Sequence, residues 1–427
     1  MLKSIAMLSV HTSPIARLGG QETGGMNVYV RDISQEFGRQ GINVDIYTRS
    51  QDPTLPRVEA LAHNVRVLQV KAGPEKPYNK NKIYHHLDEF AAGVLVHKQQ
   101  YDLIFAHYWL SGLVGLRLRK KWNIPVFQMF HTLAALKNMV AQTNAEREPE
   151  QRTNCEREIM HRVDRVIAAT PVDCCHMVEY YGASCQNISI IPPGVDLDRF
   201  TAMNKIDARH HLDIPVDHKM LLFVGRIQRL KGIDVLLRAI ARLRRRQARL
   251  TENICLAIIG GKPDPDENET HPEMTHLLNL RRELGLEDLV TFLGSKDQNS
   301  LVYYYAAAEM VIIPSNYESF GMVAVEAMAC GTPVIASNVG GLKFSVEDGF
   351  NGYLVPARNA DALANRIRLL LKRPILQQQL SEQAQHWAKR FSWTNIAEEL
   401  IEVFETEIDR YFQRNKHSNL LPDRKNI

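Results

Sequence analysis

The stretch IPSNYESFGMVAVEAMACGTPV, residues 313–334, says more about the fold than any other part of the chain. Its first residue ends an apolar strand, and a loop follows. A helix is predicted over residues 320–330, because Gly331 and Pro333 stop it before a second apolar strand. A strand, a helix and a further strand form a parallel βαβ unit. Ligands of open parallel sheets bind beyond the carboxyl ends of the strands, so this loop is predicted to line a ligand site.

Strands and helices alternate in the same way along the rest of the chain. The run Pro192-Pro193-Gly194 separates two such series. The sequence therefore predicts an α/β fold of two doubly wound, Rossmann-like domains, residues 1–194 and 195–392, that face each other across a cleft. The amphipathic helix at 393–412 is predicted to pack back on the first domain. Apolar strands are predicted at 4–10, 43–48, 65–70, 103–106, 126–130, 166–169, 220–224, 255–259, 290–292, 310–313 and 334–336.

The composition of the 427-residue chain is ordinary for a globular protein, with 45% hydrophobic and 23% charged residues. A formal net charge of +4 over this length does not indicate a nucleic-acid partner. No apolar run approaches the roughly 20 residues that a membrane helix needs. The six cysteines form no CxxC pair, so we expect reduced thiols, no metal site and a cytoplasmic protein. The sequence is compatible with a homo-oligomer.

Two cations follow the first strand of the second series. Arg226 comes directly after the strand, and Lys231 precedes Gly232 and a predicted helix. Such side chains are usually solvated, but the position at a strand end places both in the cleft. Two fixed cations there would neutralise a departing diphosphate without a metal ion. We therefore predict that Arg226 and Lys231 bind a diphosphate and that no cofactor is required, although magnesium is compatible with the site.

Glu318 and Glu326 lie on either side of the start of the helix predicted at 320–330. A carboxylate next to a bound anion would repel it, so these two are predicted to bind sugar hydroxyls. Glu326 lies about one and a half turns inside the helix and faces another part of the ligand. We assign it to a ribose and Glu318 to the transferred sugar, with two solvated glutamates as the alternative. The open amides of the helix start are predicted to bind the phosphate: Phe320, Gly321, Met322 and Val323.

A glycine-rich stretch, residues 19–25, follows the first predicted strand. Gly24 and Gly25 would let the backbone approach a phosphate or sugar just ahead of a helix that begins near Asn27. An ordinary flexible loop is the alternative. The spacing differs from the dinucleotide fingerprint G-x-G-x-x-G, which argues against an NAD-dependent dehydrogenase.

Taken together, these motifs resemble those of the retaining glycosyltransferases of the GT-B fold, the group 1 family that includes glycogen synthase, sucrose synthase and sucrose-phosphate synthase. The resemblance covers nearly the whole chain. It implies a UDP-sugar donor on the second domain, with its diphosphate on Arg226 and Lys231, and an acceptor on the first domain. The motifs that carry it are Glu318-x7-Glu326, Gly225-Arg226 with Lys231-Gly232, Pro193-Gly194-Val195-Asp196 and Asn351-Gly352-Tyr353-Leu354-Val355.

The motifs at 9–14, 24–30, 107–112 and 131–135 narrow the resemblance to two subgroups whose acceptors carry a phosphate. These are the inositol-phosphate N-acetylglucosaminyltransferases of mycothiol synthesis and the sucrose-phosphate synthases. His131-Thr132-Leu133-Ala134 departs from the His-Ser-Leu-Gly of the latter and favours the inositol-phosphate type. The implied acceptor contacts are Gly25, which also serves the donor, Asn27, Tyr108, Thr132, Arg152 and one lysine, Lys80 or else Lys76 or Lys82. The charged segment around Arg152 fits a solvated helix equally well.

His131 follows a predicted strand and is expected to point into the cleft. The family retains the anomeric configuration without a stable covalent intermediate, which implies that His131 orients and polarises the donor sugar and is not a nucleophile. Arg226, Lys231 and Glu318 complete the implied catalytic set. Glucose and N-acetylglucosamine donors are not distinguished.

Two other functions fit parts of this pattern. A nucleotide-sugar binding or sensing protein would keep the donor site without transfer. An epimerase on the same fold would leave the acceptor residues Lys80 and Arg152 unused. No motif is missing from the sequence, which favours the transferase.

Overall fold

The computed structural model describes residues 1–16, 23–97, 99–261 and 272–418. Two sheets with helices packed against them form the fold, which confirms the predicted α/β class. Residues 19–22 of the glycine-rich stretch lie outside the described part of the chain. No helix within the described ranges combines the length and the apolar character needed to cross a membrane.

The first sheet contains eight strands. They are β1 (Ser4–Leu8), β2 (Asn43–Arg49), β3 (Val58–Ala62), β4 (Val65–Val70), β5 (Leu103–His107), β6 (Val126–Met129), β7 (Arg165–Ala168) and β8 (Ile188–Ile190). Their order is β3-β4-β2-β1-β5-β6-β7-β8, and all neighbours are parallel except the β3–β4 pair. The helices of this half are α1 (Gly25–Arg39), α2 (Lys80–Ile83), α3 (Leu87–Leu95), α4 (Trp109–Trp122), α5 (Ala134–Val140), α6 (Glu150–Arg162) and α7 (Pro171–Tyr181).

The second sheet contains six parallel strands. They are β9 (Lys219–Val224), β10 (Ile254–Ile259), β11 (Val290–Phe292), β12 (Met310–Ile313), β13 (Val334–Ser337) and β14 (Gly352–Val355), in the order β11-β10-β9-β12-β13-β14. The helices are α8 (Lys205–His211), α9 (Ile233–Arg246), α10 (Ala248–Thr251), α11 (Pro272–Glu283), α12 (Gln298–Ala307), α13 (Met322–Ala329), α14 (Leu342–Ser345), α15 (Ala360–Lys372), α16 (Pro374–Ala388) and α17 (Trp393–Ser418).

Three of these strands, β3, β8 and β14, are absent from the predicted set, and α13 begins two residues later than predicted. Most side chains of β3 are exposed, so its sequence lacks the apolar pattern of a buried strand. The later start of α13 follows from Gly321, whose φ of 89° is incompatible with a right-handed helix.

The last helix, α17, returns to the first sheet. The ring of Phe404 lies 4.5 Å from that of Phe127 and 5.2 Å from that of Phe105, centroid to centroid. Arg165 donates to the Glu407 carboxylate over 2.9 Å. Through these contacts α17, which follows the second half in the sequence, packs against the first half of the molecule.

The chain crosses between the two sheets at two adjacent places. The amide of Val195 donates to the carbonyl of Phe391 over 2.7 Å, which ties the two crossings together. At Gly194 an added Cβ would lie 2.5 Å from the indole of Trp393, so only glycine fits here without displacement. Two neighbouring segments of the chain thus connect the two halves. The carboxyl edges of both sheets face a common cleft.

Candidate active site

A cavity of about 320 Å³ lies between the carboxyl edges of the two sheets. Residues from both halves of the molecule line it. Apart from the alternative lysines Lys76 and Lys82, the candidate site residues from the sequence are all among them: Gly25, Asn27, Lys80, Tyr108, His131, Thr132, Arg152, Arg226, Lys231, Glu318, Phe320, Gly321, Met322, Val323 and Glu326. The structure therefore brings the two predicted groups, donor and acceptor, to one cleft.

Lys231 and Glu318 form an ion pair on the side of the second sheet. The Lys231 ammonium lies 2.5 Å from the Glu318 carboxylate, and both side chains are mostly buried. Lys231 ends a short turn that follows β9, and Gly232 allows that turn to pack closely, because an added Cβ would lie 2.1 Å from the Pro314 carbonyl oxygen. A diphosphate that reaches Lys231 must therefore share its ammonium with Glu318 or replace that carboxylate.

The N-terminus of α13 opens into the same cavity. Gly321 precedes the helix, and no side chain of the described residues caps it. An added Cβ at Gly321 would lie 2.6 Å from Leu342, so the glycine allows both the turn and the close packing. Met322 and Val323, at the start of the helix, line the cavity. An uncapped helix start of this kind favours a phosphate through its amides and its dipole.

Glu326 lies deeper in α13 and is held by a tyrosine. The Tyr305 hydroxyl donates to one oxygen of the Glu326 carboxylate over 2.7 Å. Burial raises the pKa of Glu326 to about 7, against the hydrogen bond from Tyr305. The predicted alternative of a solvated glutamate therefore does not hold for Glu326, which is buried at the cavity wall.

His131 lines the cleft and pairs with a second histidine, His107. Nδ1 of His107 lies 3.0 Å from Nε2 of His131, and His131 adopts a φ of 61° two residues after the end of β6. Burial lowers the pKa of His131 to about 3 and that of His107 well below its usual value, so both imidazoles are neutral at neutral pH. The carbonyl of His131 also accepts a hydrogen bond from Ser319 of the second half, over 2.6 Å. A neutral, tethered His131 suits an orienting role.

Arg152 is fully buried on the opposite side of the cleft. Its guanidinium donates to the Glu156 carboxylate over 2.7 Å and to the carbonyl and hydroxyl of Thr132 over 2.8 and 3.1 Å. It also lies 4.6 Å above the ring of Tyr108. Arg152 is therefore not the solvated helix residue that the charged sequence around it also allowed.

The structure distinguishes between the three candidate lysines by their position relative to the cavity. Lys80 begins α2 and lines the cavity, whereas Lys76 and Lys82 are exposed and are not among the described lining residues. Asn27 also reaches the cavity, but its side-chain amide donates to Thr12 and Ser13 and its carbonyl accepts from the amide of Gly24. In this conformation Asn27 holds the loop before α1, and its contact with an acceptor stays a prediction.

Sequence reasoning missed several polar residues at this site. Lys137 lines the cavity from α5, and its ammonium contacts the buried carboxylate of Glu148. His11 also lines it, with its ring 4.3 Å from that of Tyr108. Burial, then the charges of Lys80, Arg152 and other neighbours, lower the pKa of His11 well below its usual value. The position of His11, directly after the first predicted strand, was a signal that could have identified it. Lys137 and Glu148 do not follow a strand, so the sequence gives no such signal for them.

Family models match both halves of the chain. The model described as Glycosyltransferase Family 4 matches residues 23–199. The model described as Glycosyl transferases group 1 matches residues 204–387. The two matches together include nearly all the residues that line the cleft.

Individual proteins resemble the chain over nearly its full length. It is 40% identical to the D-inositol 3-phosphate glycosyltransferase 2 of Catenulispora acidiphila, over 95% of this chain and 96% of that protein. Its structure is similar to that of a sucrose-phosphate synthase from Thermosynechococcus elongatus, with a TM-score of 0.87 and 35% identity over 95% of this chain and 98% of the other. Anabaena HepE, solved in complex with UDP and glucose, has the same fold, with a TM-score of 0.73 and 21% identity over 95% of this chain and 100% of that one.

Proposed function

The chain belongs to the glycosyl transferases group 1 family and is a nucleotide-sugar-dependent glycosyltransferase of the GT-B fold, and from this premise we propose that it moves a hexosyl unit from a UDP-sugar to a small phosphorylated acceptor. We propose further that the anomeric configuration is retained and that an inositol phosphate is the preferred acceptor.

One observation carries this proposal: the cleft has a cationic group on each side. Lys231 and the start of α13 lie on the second half, with Arg226 after β9. Lys80, Lys137 and Arg152 lie on the first half. A reaction that joins a diphosphate-bearing donor to a phosphate-bearing acceptor needs positive charge at both places. A binding protein or an epimerase has no use for the second group.

The donor half would act mainly on the leaving group. As the glycosidic bond breaks, negative charge grows on the UDP diphosphate, and Lys231, Arg226 and the α13 amides would stabilise it without a required metal ion. Glu318 would bind the transferred sugar and Glu326 the ribose. His131 would orient the donor sugar, because its neutral imidazole is held by His107.

The acceptor assignment rests on the first half of the chain. The relative with 40% identity is described as an inositol 3-phosphate glycosyltransferase, and the departure at residues 131–134 also favours that type. Fructose 6-phosphate is the second candidate, supported by the similarity to the sucrose-phosphate synthase structure. Both candidates carry a phosphate monoester, so both suit the same cationic group.

The six cysteines are free thiols. Unpaired cysteines are usual in a reducing compartment. This supports the proposal that the protein acts in the cytoplasm.

A product screen tests the proposed function. The protein is incubated with UDP-glucose or UDP-N-acetylglucosamine and with D-inositol 3-phosphate, fructose 6-phosphate or glucose 6-phosphate, and the products are identified by mass spectrometry. We expect transfer to D-inositol 3-phosphate and an α-linked product by NMR. Transfer to fructose 6-phosphate alone would select the second candidate. UDP binding without transfer to any phosphorylated acceptor would overturn the proposal.

A further inference from the structure

One carboxylate oxygen on the first half of the cleft lies among three cations. Oε1 of Glu148 is contacted by the ammonium of Lys137, lies 3.1 Å from the Arg152 guanidinium, and is 3.9 Å from the ammonium of Lys80. The Glu148 side chain is 5% exposed, whereas those of Lys80 and Lys137 are 24% and 23% exposed. The three cations thus surround one buried anionic oxygen, and the two lysines still reach the cavity.

Glu148 is fixed in place by the helix that carries Lys137. The amide of Glu148 donates to the side chain of Asn138 over 2.7 Å, and the Asn138 amide group donates back to the carbonyl of Glu148 over 3.1 Å. Burial opposes ionisation of Glu148, but the charges of Arg152, Lys137 and Lys80 outweigh it and lower the pKa of the carboxyl to about 2. Glu148 is therefore ionised at neutral pH, and its carboxylate attracts the ammonium groups of both lysines.

Arg152 has few donors left for a ligand. Of its five N–H groups, one donates to Glu156 and two are taken by Thr132, while the remaining nitrogen contacts Glu148. Lys137 carries three N–H groups. Within the described residues its ammonium donates to the Glu148 carboxylate. Lys137 is thus better supplied with donors for a phosphate than the arginine that the sequence pointed to.

The charge balance of the group depends on Lys137 as much as on the other two cations. Lys80, Lys137 and Arg152 are offset by Glu148 and Glu156, so the five side chains carry a net charge of +1. Loss of Lys137, like the loss of Lys80 or Arg152, would make the group neutral. A phosphate monoester carries about −1.5 to −2 charges at neutral pH, so a net positive group suits it better than a neutral one.

We propose that Lys137 binds the phosphate of the acceptor as a third cation beside Lys80 and Arg152, and that Glu148 positions it. This inference rests on the proposed function. On this proposal Lys137 selects phosphorylated over unphosphorylated acceptors. Arg152 then serves to hold Glu156 and Thr132 in place as much as to bind the acceptor phosphate.

Lys137→Met tests the inference, because methionine keeps the length of the side chain and removes its charge. The matched control is Arg147→Met, which removes the same charge from an exposed position next to Glu148. We expect Lys137→Met to raise the KM for D-inositol 3-phosphate about tenfold or more, as the loss of a charged hydrogen bond typically does. Inhibition by inorganic phosphate should weaken in parallel, while the KM for the UDP-sugar changes little. The control should match the unmodified protein.

A second variant distinguishes the loss of acceptor binding from a folding defect. Lys137→Met with Glu148→Gln removes both charges, so no new unpaired carboxylate is buried and the group keeps its net charge of +1. We expect the acceptor KM to stay raised, because the phosphate still lacks the N–H donors of Lys137. UDP affinity reports on folding in every variant. An acceptor KM within about twofold of the original in Lys137→Met would overturn the inference. Failure of the proposed function is a different result, since the unmodified protein would then show no preference for phosphorylated acceptors.

Discussion

The two faces of the cleft hold their cations in opposite ways. On the second half, Lys231 pairs with the single carboxylate of Glu318, and the two side chains are 16% and 20% exposed. On the first half, Arg152 is fully buried and is bound by Glu148, Glu156 and Thr132 together. The pair on the second half has one carboxylate and some contact with solvent, so it should open at lower cost than the fully buried network on the first half. The proposed donor face, which comprises Lys231, Glu318 and the start of α13, can therefore change partners, whereas the proposed acceptor face around Arg152 is held in place.

The faces also differ in what they offer a ligand. The donor face relies on backbone, with an uncapped helix start at Met322 and a glycine before it that allows the turn. The acceptor face relies on side chains from separate elements, α2, α5 and α6. We therefore expect substitutions on the acceptor face to affect stability as well as substrate binding, and substitutions on the donor face to affect mainly turnover.

The largest expected effect is on stability. Arg152→Met would leave Glu156, and in part Glu148, without their main counter-charge in a buried place. Breaking a buried pair from one side typically costs about 3–5 kcal/mol. We expect a loss of this size in the free energy of unfolding, measured by urea titration.

The control for this prediction is Arg117→Met on the same half of the molecule. Arg117 pairs with Asp88, whose side chain is 89% exposed. Surface pairs of this kind contribute about 0–1 kcal/mol. If Arg152→Met destabilised the protein no more than Arg117→Met does, the contrast between the two faces would be lost.

The next effect in size is on turnover. Lys231→Ala removes the cation that we propose to lie beside the leaving diphosphate, and loss of one such electrostatic group should lower kcat by about a hundredfold or more. The free energy of unfolding should fall by less than in Arg152→Met, because Glu318 remains partly solvated. Steady-state kinetics at saturating donor, with Lys372→Ala as a distant control, measure the loss. A near-normal kcat would remove Lys231 from the catalytic set.

The difference between the two faces also explains which site residues could be predicted from the sequence. The donor face comes from two short stretches, at 225–232 and 313–326, in which a strand end, a glycine and a helix start follow one another directly. Such local order is visible in a sequence, and every residue predicted from it lines the cleft.

The acceptor face has such local order only in part: Tyr108 and Thr132 follow strands, whereas Lys137 and Glu148 do not. Lys137 lies one turn inside α5, and Glu148 precedes α6, so neither occupies a strand end. Only the fold brings them together with Lys80, from more than fifty residues away in the sequence. The resemblance implied Arg152 and Tyr108 as acceptor contacts, but no spacing rule could show that the Arg152 guanidinium already donates to Glu156 and Thr132.

The smallest expected effect is a shift in a pH profile. Burial lowers the pKa of Lys137, while the charge of Glu148 opposes that shift. A lysine must be protonated to bind a phosphate, so acceptor kcat/KM should fall at alkaline pH, and earlier than the ordinary lysine value of about 10.4 allows. Glu148→Gln removes the charge that keeps the proton on Lys137, and the falling limb should therefore move to still lower pH.

This shift is measured as kcat/KM for D-inositol 3-phosphate from about pH 7 to about pH 10, with Glu150→Gln as the matched control. Glu150 is an exposed carboxylate two residues away, at the start of α6, so its loss should leave the profile unchanged. Over this range the acceptor phosphate is already a dianion, because its second pKa is about 6, and it adds no falling limb of its own. A falling limb that stayed in place or moved to higher pH in Glu148→Gln would mean that Lys137 is not the titrating group. The acceptor face would then hold its phosphate through Lys80 and Arg152 alone.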